Sequence, residues 1–281
     1  MKNVGMIAAL FALPLLAQPN VESREYKLML DPSLFTGSNP STAVTNFWDT
    51  LENLIETNVG RSASGSFSLD KSRTVRFYDT PESCVLKNSG FVFRERVENT
   101  NREVTLKFRS PDRYISGYQD MSASSSGAET KFEEDISAPF VSKYSYSTTQ
   151  GISSSKNLNK MDDPVGLYPG LEAYGFDEDE AISLVGNLEI SERVYKGTDV
   201  DLGNKDGQFS LTLWYRSGFL TTPVVAEISF KYADSSEDYS ENVVTRAKAV
   251  FEQMQSMSAW VATEAITKTT YVYAYNPAYC Q

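Results

Sequence analysis

Apolar and polar residues alternate with a period of two in eight segments spread along the chain: 24–31, 73–79, 91–97, 103–109, 131–136, 188–195, 208–215 and 224–232. Alternation of this kind, with β-branched and aromatic residues in the apolar positions, predicts strands that bury one face. The period lengthens to that of a helix at 41–58 (Ala43, Phe47, Leu51, Leu54, Ile55), around 177–185, and at 239–256 (Val243, Val244, Ala247, Val250, Phe251, Met254). Each helical stripe is wide enough to cover a sheet. Two stretches lack either period, the Ser/Gly-rich 111–130 and the longer 138–176, and both read as polar surface insertions. The second is long for a structureless connection, so short local structure is expected inside it.

Residues 1–17 follow a different rule. A single charge at Lys2 precedes an apolar run from Met6 to Leu16, broken only by Pro14, that ends on the small residue Ala17. This is the layout of a secretory signal, and the run is shorter than the ~20 residues a membrane helix needs. The expected organisation is therefore a signal peptide at 1–17, then one domain at 18–281 carrying insertions at about 111–130 and 138–176. Its expected location is secreted or periplasmic, with no later membrane span.

Charge and composition narrow the chemistry. The 281 residues carry a formal net charge of −11, which argues against nonspecific binding to nucleic acid or anionic membranes. There is no histidine, which removes Ser-His-Asp and Cys-His catalysis and histidine-ligated zinc. Carboxylate, Lys, Arg and Tyr chemistry is what remains. Cys84 and Cys280 are the only cysteines; in an exported chain they either pair, tying the C-terminal tail to the body, or stand as two thiols.

Because residues i and i+2 of a strand face the same way, the strands can be sorted by face. Glu25 and Lys27 oppose Tyr26 and Leu28; Arg94 and Arg96 oppose Phe91, Phe93 and Val97; Thr105, Lys107 and Arg109 oppose Val104, Leu106 and Phe108. Lys131, Glu133 and Asp135 oppose Phe132 and Ile136, Glu189, Ser191 and Arg193 oppose Leu188, Ile190 and Val194, and Glu227, Ser229 and Lys231 oppose Ala226, Ile228 and Phe230. Two architectures satisfy this pattern. One is an antiparallel sheet with a wet face; the other is a closed barrel that is polar inside and covered by helices outside. Basic and acidic side chains on the same strands suit a phosphate-plus-cation ligand in the second.

The run Thr74-Val75-Arg76-Phe77-Tyr78-Asp79-Thr80-Pro81, followed by Phe91-Val92-Phe93-Arg94-Glu95-Arg96 and Val104-Thr105-Leu106-Lys107, resembles the CYTH or triphosphate tunnel metalloenzyme family. Ser23-Arg24-Glu25-Tyr26-Lys27 sits where that family opens with Glu-x-Glu-x-Lys, and Lys131-Phe132-Glu133-Glu134-Asp135 where it has Arg-x-Glu-x-Glu. Ser191-Glu192-Arg193 falls on a Lys-x-Arg element and Glu227-Ile228-Ser229 on the closing Glu-x-Glu. The resemblance spans about 23–257. It implies an α+β fold, an eight-stranded antiparallel β-barrel (tunnel) with helices packed outside, and hydrolysis of triphosphates with Mg²⁺ or Mn²⁺. It also implies that Lys27, Arg94, Arg96, Lys107, Lys131 and Arg193 bind a phosphorylated small anion, that Glu25 and Glu133 serve catalysis, and that Glu25, Asp135 and Glu227 hold metal.

The sequence departs from that pattern mostly on the metal side. Ser23 and Ser229 each replace a Glu, Trp214 stands where an Asp is usual, and Ser191 replaces a Lys. Fewer carboxylates mean weaker binding of hard dications. The resemblance thus leaves open a metal-dependent phosphoanhydride hydrolase and a non-catalytic phosphoanion-binding protein. A third possibility is a structural or surface protein that uses 138–176 and the tail Tyr271 to Tyr279 to contact a partner.

Overall fold

The computed structural model describes residues 18–281, so the expected signal peptide lies outside the described residues. Ten strands form: β1 (Ser23–Leu30), β2 (Ala63–Asp79), β3 (Phe91–Glu98), β4 (Asn101–Ser110), β5 (Glu129–Ser137), β6 (Val141–Ile152), β7 (Ser183–Leu184), β8 (Ile190–Asp201), β9 (Asp206–Arg216) and β10 (Val225–Ala233). Six α-helices accompany them: α1 (Ser41–Leu54), α2 (Val85–Asn88), α3 (Arg113–Gly117), α4 (Asp162–Leu167), α5 (Glu241–Ser256) and α6 (Lys268–Tyr275). The strand order β3-β4-β6-β5-β1-β10-β9-β8-β2 closes on itself because β2 also pairs with β3, while β7 adds a short edge to β2. The fold is mixed α+β, a large sheet closed into a ring.

This corrects the expected eight-stranded antiparallel barrel. The added strand is β6, which lies inside the stretch read as a polar insertion and pairs antiparallel with both β4 and β5. Its Ser, Thr and Tyr residues satisfy a strand backbone without the apolar alternation that marks the others. A ring of nine strands cannot alternate direction all the way round, and the mismatch falls between β1 and β5, which run parallel from Ser23↔Glu133 to Lys27↔Ser137.

The helix expected around 177–185 does not form. Its backbone is taken by the preceding segment instead: Met161 N–H donates to the Glu180 carbonyl, Asp162 N–H to that of Glu178, and Ile182 N–H to that of Asn159. The helix expected at 41–58 is α-helical to Leu54, widens to a π-turn over Ile55–Val59 and stops at Gly60, whose φ of +66° suits a residue without a side chain. The Ser240 hydroxyl caps α5 by accepting from Val243 N–H.

Helices α1 and α5 lie outside the ring. Val44, Phe47, Trp48 and Leu51 of α1 and Val243, Ala247, Val250, Phe251 and Met254 of α5 share one buried cluster with Tyr26, Leu28, Leu211, Leu213, Ile228 and Phe230. Tyr26 stacks on Phe230 at 4.8 Å between ring centroids. Burying each large apolar side chain in such a layer contributes about 1.5–3 kcal/mol. With one face of the sheet committed to this layer, the alternate residues must point into the ring.

The C-terminal segment packs across one end of the ring. Val272 and Tyr273 of α6 join a second apolar cluster with Met29, Val75, Phe77, Ile190, Trp214 and Val225. The buried Asp79 carboxylate accepts from the backbone N–H groups of Leu86 and Lys87 and from the Tyr273 hydroxyl at 2.8 Å, and the Tyr279 hydroxyl donates to the Asp79 carbonyl at 2.6 Å. Of the two arrangements open for the cysteines, the structure has the disulfide: Cys84 and Cys280 are bonded, with Cα atoms 5.3 Å apart. The bond closes a loop of 196 residues. Replacing both cysteines by Ser is expected to lower the unfolding free energy by about 2–4 kcal/mol, read from urea unfolding against the oxidised parent. An unchanged midpoint would show that the tail's hydrogen bonds hold it without the bridge.

Candidate functional site

Strand register determines what enters the ring. Directly paired residues share a face, so the pairs Phe77↔Arg94, Val75↔Arg96, Arg94↔Thr105 and Val92↔Lys107 carry one face across β2, β3 and β4. The pairs Lys107↔Ser147, Glu133↔Ser145, Glu25↔Asp135, Lys27↔Ser229 and Trp214↔Glu192 carry it round to β8. All of these lie opposite the helix-covered face. Inside the ring are therefore Lys27, Arg94, Arg96 and Lys107, as expected, together with Arg73, Arg109 and Glu192.

One interior group centres on Asp135, whose side chain is only 7% exposed. It accepts from Lys27 Nζ at 2.7 Å, Lys107 Nζ at 3.2 Å, Arg109 Nη2 at 2.6 Å and Ser145 Oγ at 2.5 Å. Burial works against its charge, but Lys107, Lys27 and Arg109 outweigh it and hold this carboxyl well below the usual range. Burial likewise opposes the charge of Lys27, and Asp135, Glu25 and Glu227 more than compensate, raising its affinity for the proton. Lys107 has the reverse balance. Burial, helped by Arg109 and Lys27, exceeds the attraction of Asp135 and pushes its ammonium down to about 8.

The second group centres on Glu192, 1% exposed. It pairs with Arg73, lies 3.7 Å from Arg96 Nε, and accepts from Trp214 Nε1 at 2.8 Å. Burial opposes its ionisation, while Arg96, Arg73 and Lys268 overcome that and keep it anionic. Between the two groups stands Arg94. Among the described residues it has no carboxylate partner, and its buried Nε, like that of Arg96, has no hydrogen-bond acceptor. Burial and then the neighbouring Arg96 depress its proton affinity; Glu192 offsets part of this, and Arg73 and Arg109 add to the depression. Since a guanidinium stays charged in proteins, the physical content is an incompletely compensated cation whose field favours an anion.

The remaining sequence-assigned residues separate. Glu133 faces inward but is occupied by Ser23 Oγ at 2.8 Å and Lys231 Nζ at 3.3 Å. Lys131 sits at the rim, 51% exposed, beside Glu129 at 3.3 Å. Arg193 is a correction: its register partner is Leu213, on the helix-covered face, and its guanidinium lies 4.7 Å from the Tyr215 ring centroid. Ser191, paired with Tyr215, is outside with it. Both faces of β8 carry charge, so alternation within that strand could not say which was inward; the pairing Arg73↔Glu192 decides it. Glu192, Arg73, Arg109 and Lys268 are the interior groups that the motif comparison missed, although Arg109 was legible from its shared parity with Lys107.

The metal assignment does not hold together. Glu25 Oε2 is 2.9 Å from Lys27 Nζ, Asp135 shares that same ammonium, and Glu227 Oε1 accepts from Lys268 Nζ at 2.8 Å. Among the described residues no three acidic or thiolate side chains converge as a metal cage would require. Glu25, Asp135 and Glu227 therefore do not fit a resident Mg²⁺ or Mn²⁺ in this arrangement. Among the described residues no helix is long and apolar enough to cross a membrane.

No protein-family profile and no curated protein matches the sequence. Among solved structures, the chain is similar to a protein from Hippeastrum, described as a candidate adenylyl cyclase with a dominant triphosphatase activity. The identity is 14%, over 91% of this chain and 96% of that one, with a TM-score of 0.45. A candidate adenylate cyclase from Bacillus halodurans aligns at 13% identity over 89% and 96%, TM-score 0.39, and one from Vibrio parahaemolyticus at 13% over 89% and 97%, TM-score 0.34.

Lys107 provides a direct measurement of the interior field. In ¹³C-lysine-labelled protein one ammonium should titrate near pH 8 and vanish in Lys107→Met. Because the folded state releases this proton before the unfolded chain does, Lys107 destabilises the fold below about pH 8, and that cost is relieved as pH rises toward the ordinary lysine value of 10.5. A Lys107 signal titrating with the exposed lysines would show that water reaches the site freely.

Proposed function

We propose that the ring interior binds a multiply phosphorylated small anion of the triphosphate or polyphosphate type, and that the chain is a divergent CYTH-like protein in which binding has outlasted hydrolysis. The observation that carries this reading is Arg94 beside Arg96, two enclosed guanidiniums whose Nε atoms have no acceptor among the described residues. With Lys27, Arg73, Lys107 and Arg109 they make six cations that meet three carboxylates (Glu25, Asp135, Glu192). A positive excess in the middle of a chain whose net charge is −11 needs a physical reason. An anion with several phosphate oxygens supplies acceptors for both guanidinium forks and for the Lys107 ammonium at once, through short charge-assisted hydrogen bonds.

Hydrolysis is less well supported by the same residues. Phosphoryl transfer relies on cations that stabilise charge on the transferring group and on a group that positions the water. Glu25 and Glu133, the expected catalytic carboxylates, are engaged by Lys27 and by Ser23 and Lys231. We further propose that the protein acts in an oxidising compartment, a reading supported by the leader-like segment at 1–17 and by the Cys84–Cys280 bond.

Calorimetry with sodium tripolyphosphate in the presence of a chelator is expected to show one binding event per chain that weakens with salt. The joint substitution Arg94→Ala and Arg96→Ala should cost at least about a hundredfold in affinity while leaving the folded signal intact, since two desolvated charge-assisted contacts are lost. In the parent, affinity should fall as pH rises above about 8, where free Lys107 loses its proton, and Lys107→Met should flatten that slope. Absence of any binding at modest ionic strength would reduce the interior charges to a scaffold.

A further inference from the structure

The three carboxylates that a divalent ion would need are each held by an ammonium of the chain itself, and one of those ammoniums comes from an unexpected place. Lys268 is the first residue of α6, in the C-terminal segment beyond the closing strand, and not in the ring. Its Nζ donates to Glu227 Oε1 at 2.8 Å and lies 5.8 Å from the Trp214 ring centroid. Trp214 in turn donates to Glu192, so Lys268 stands next to the polar group that holds Arg73 and Arg96.

The segment that carries Lys268 is fixed rather than loosely laid across the opening. Thr267 caps α6 by accepting from Thr270 N–H, Tyr273 and Tyr279 both bond to Asp79, and Glu82 N–H donates to the Tyr279 carbonyl. The Cys84–Cys280 disulfide closes the far end of the segment. An ammonium on a tethered helix pays little of the ordering entropy that a free ion or a mobile lysine would, so its charge is available at Glu227 permanently.

We infer that Lys268 is a resident, covalently tethered cation that occupies the Glu227 end of the interior in place of a divalent metal. Lys27 serves the Glu25 and Asp135 end in the same manner, 2.9 and 2.7 Å from the two carboxylates. The two ammoniums neutralise the acidic groups without adding a free coordination position, and they leave the arginines to the anion. A carboxylate already paired in a partly desolvated site cannot be won by a hydrated dication without displacing the ammonium, and stranding that second charge is costly.

This inference depends on the anion-binding reading only for the purpose it gives the two ammoniums; its test uses no anion. Mn²⁺ alone is titrated into the oxidised protein, with uptake followed by calorimetry and by the electron paramagnetic resonance signal of free Mn²⁺. The parent should take up no stoichiometric Mn²⁺, Lys268→Met should gain at least about a tenfold increase in Mn²⁺ affinity by freeing Glu227, and Lys268→Arg should behave like the parent. Adding Glu227→Gln to Lys268→Met should abolish the gain, which locates it. A parent chain that binds one Mn²⁺ per molecule and loses it on Glu227→Gln would overturn the inference, whether or not tripolyphosphate binds. A folded Lys268→Met, with its disulfide intact, that takes up no more Mn²⁺ than the parent would also overturn it. If Lys268→Met does not fold, Lys268→Gln, which removes the charge but keeps a polar group beside Glu227, is titrated in its place and read by the same outcomes.

Discussion

Asp135 is the point on which the interior depends. A buried carboxylate surrounded by Lys27, Lys107 and Arg109 is stable only if those cations stay close, and they stay close only because the ring brings β1, β4 and β5 round a common axis. Opening the sheet would separate the carboxylate from its cations and exchange the ion pairs for water, whereas removing one partner inside the closed ring strands the others desolvated at a cost of several kcal/mol. The outer apolar layer, where α1 and α5 cover Tyr26, Leu28, Ile228 and Phe230, supplies the stabilisation that offsets this arrangement. The two faces of one sheet thus carry opposite physical tasks.

Inside, the balance of charge is uneven in a way that separates structure from function. Lys231–Glu133, Lys268–Glu227 and Arg73–Glu192 are matched pairs, and matched pairs in a barrel are weak arguments for activity. Arg94 is unmatched. A protein that only needed a stable ring could replace it with an apolar residue and gain stability, since an unpaired buried cation is among the costlier groups to retain. Arg94 beside Arg96 is the observation on which the proposed anion-binding reading rests.

The acidic groups are, by contrast, paired. Each carboxylate that could have served a divalent ion is engaged by an ammonium, and one of those ammoniums is delivered by a helix that the Cys84–Cys280 bond ties to the body. Trp214 fills the end of the ring against Phe77 and uses its indole N–H to hold Glu192, so it is part of the support for Arg73 and Arg96.

The one-sided alternation of β1, β3, β4, β5, β9 and β10 was legible without coordinates, because side chains of a strand alternate strictly and the apolar set has to meet a core. So were the covering helices α1 and α5, through their spacing, and the inward direction of Lys27, Arg94, Arg96 and Lys107, through shared parity with Glu25 and Thr105. Three features were not. Strand β6 is polar on both faces, so local pattern could not distinguish it from a loop, and its presence makes the ring odd and one pairing parallel. In β8 both faces are charged, so only the cross-strand register with β2 and β9 shows that Glu192 faces in and Arg193 faces out. Cys84 and Cys280, like Lys268 and Glu227, lie far apart along the chain, and no local periodicity carries information about such distances. Alternation and spacing are properties of neighbours along the backbone and are written in the sequence; which charges meet across the ring is a property of register and closure, which exists only once the chain has folded.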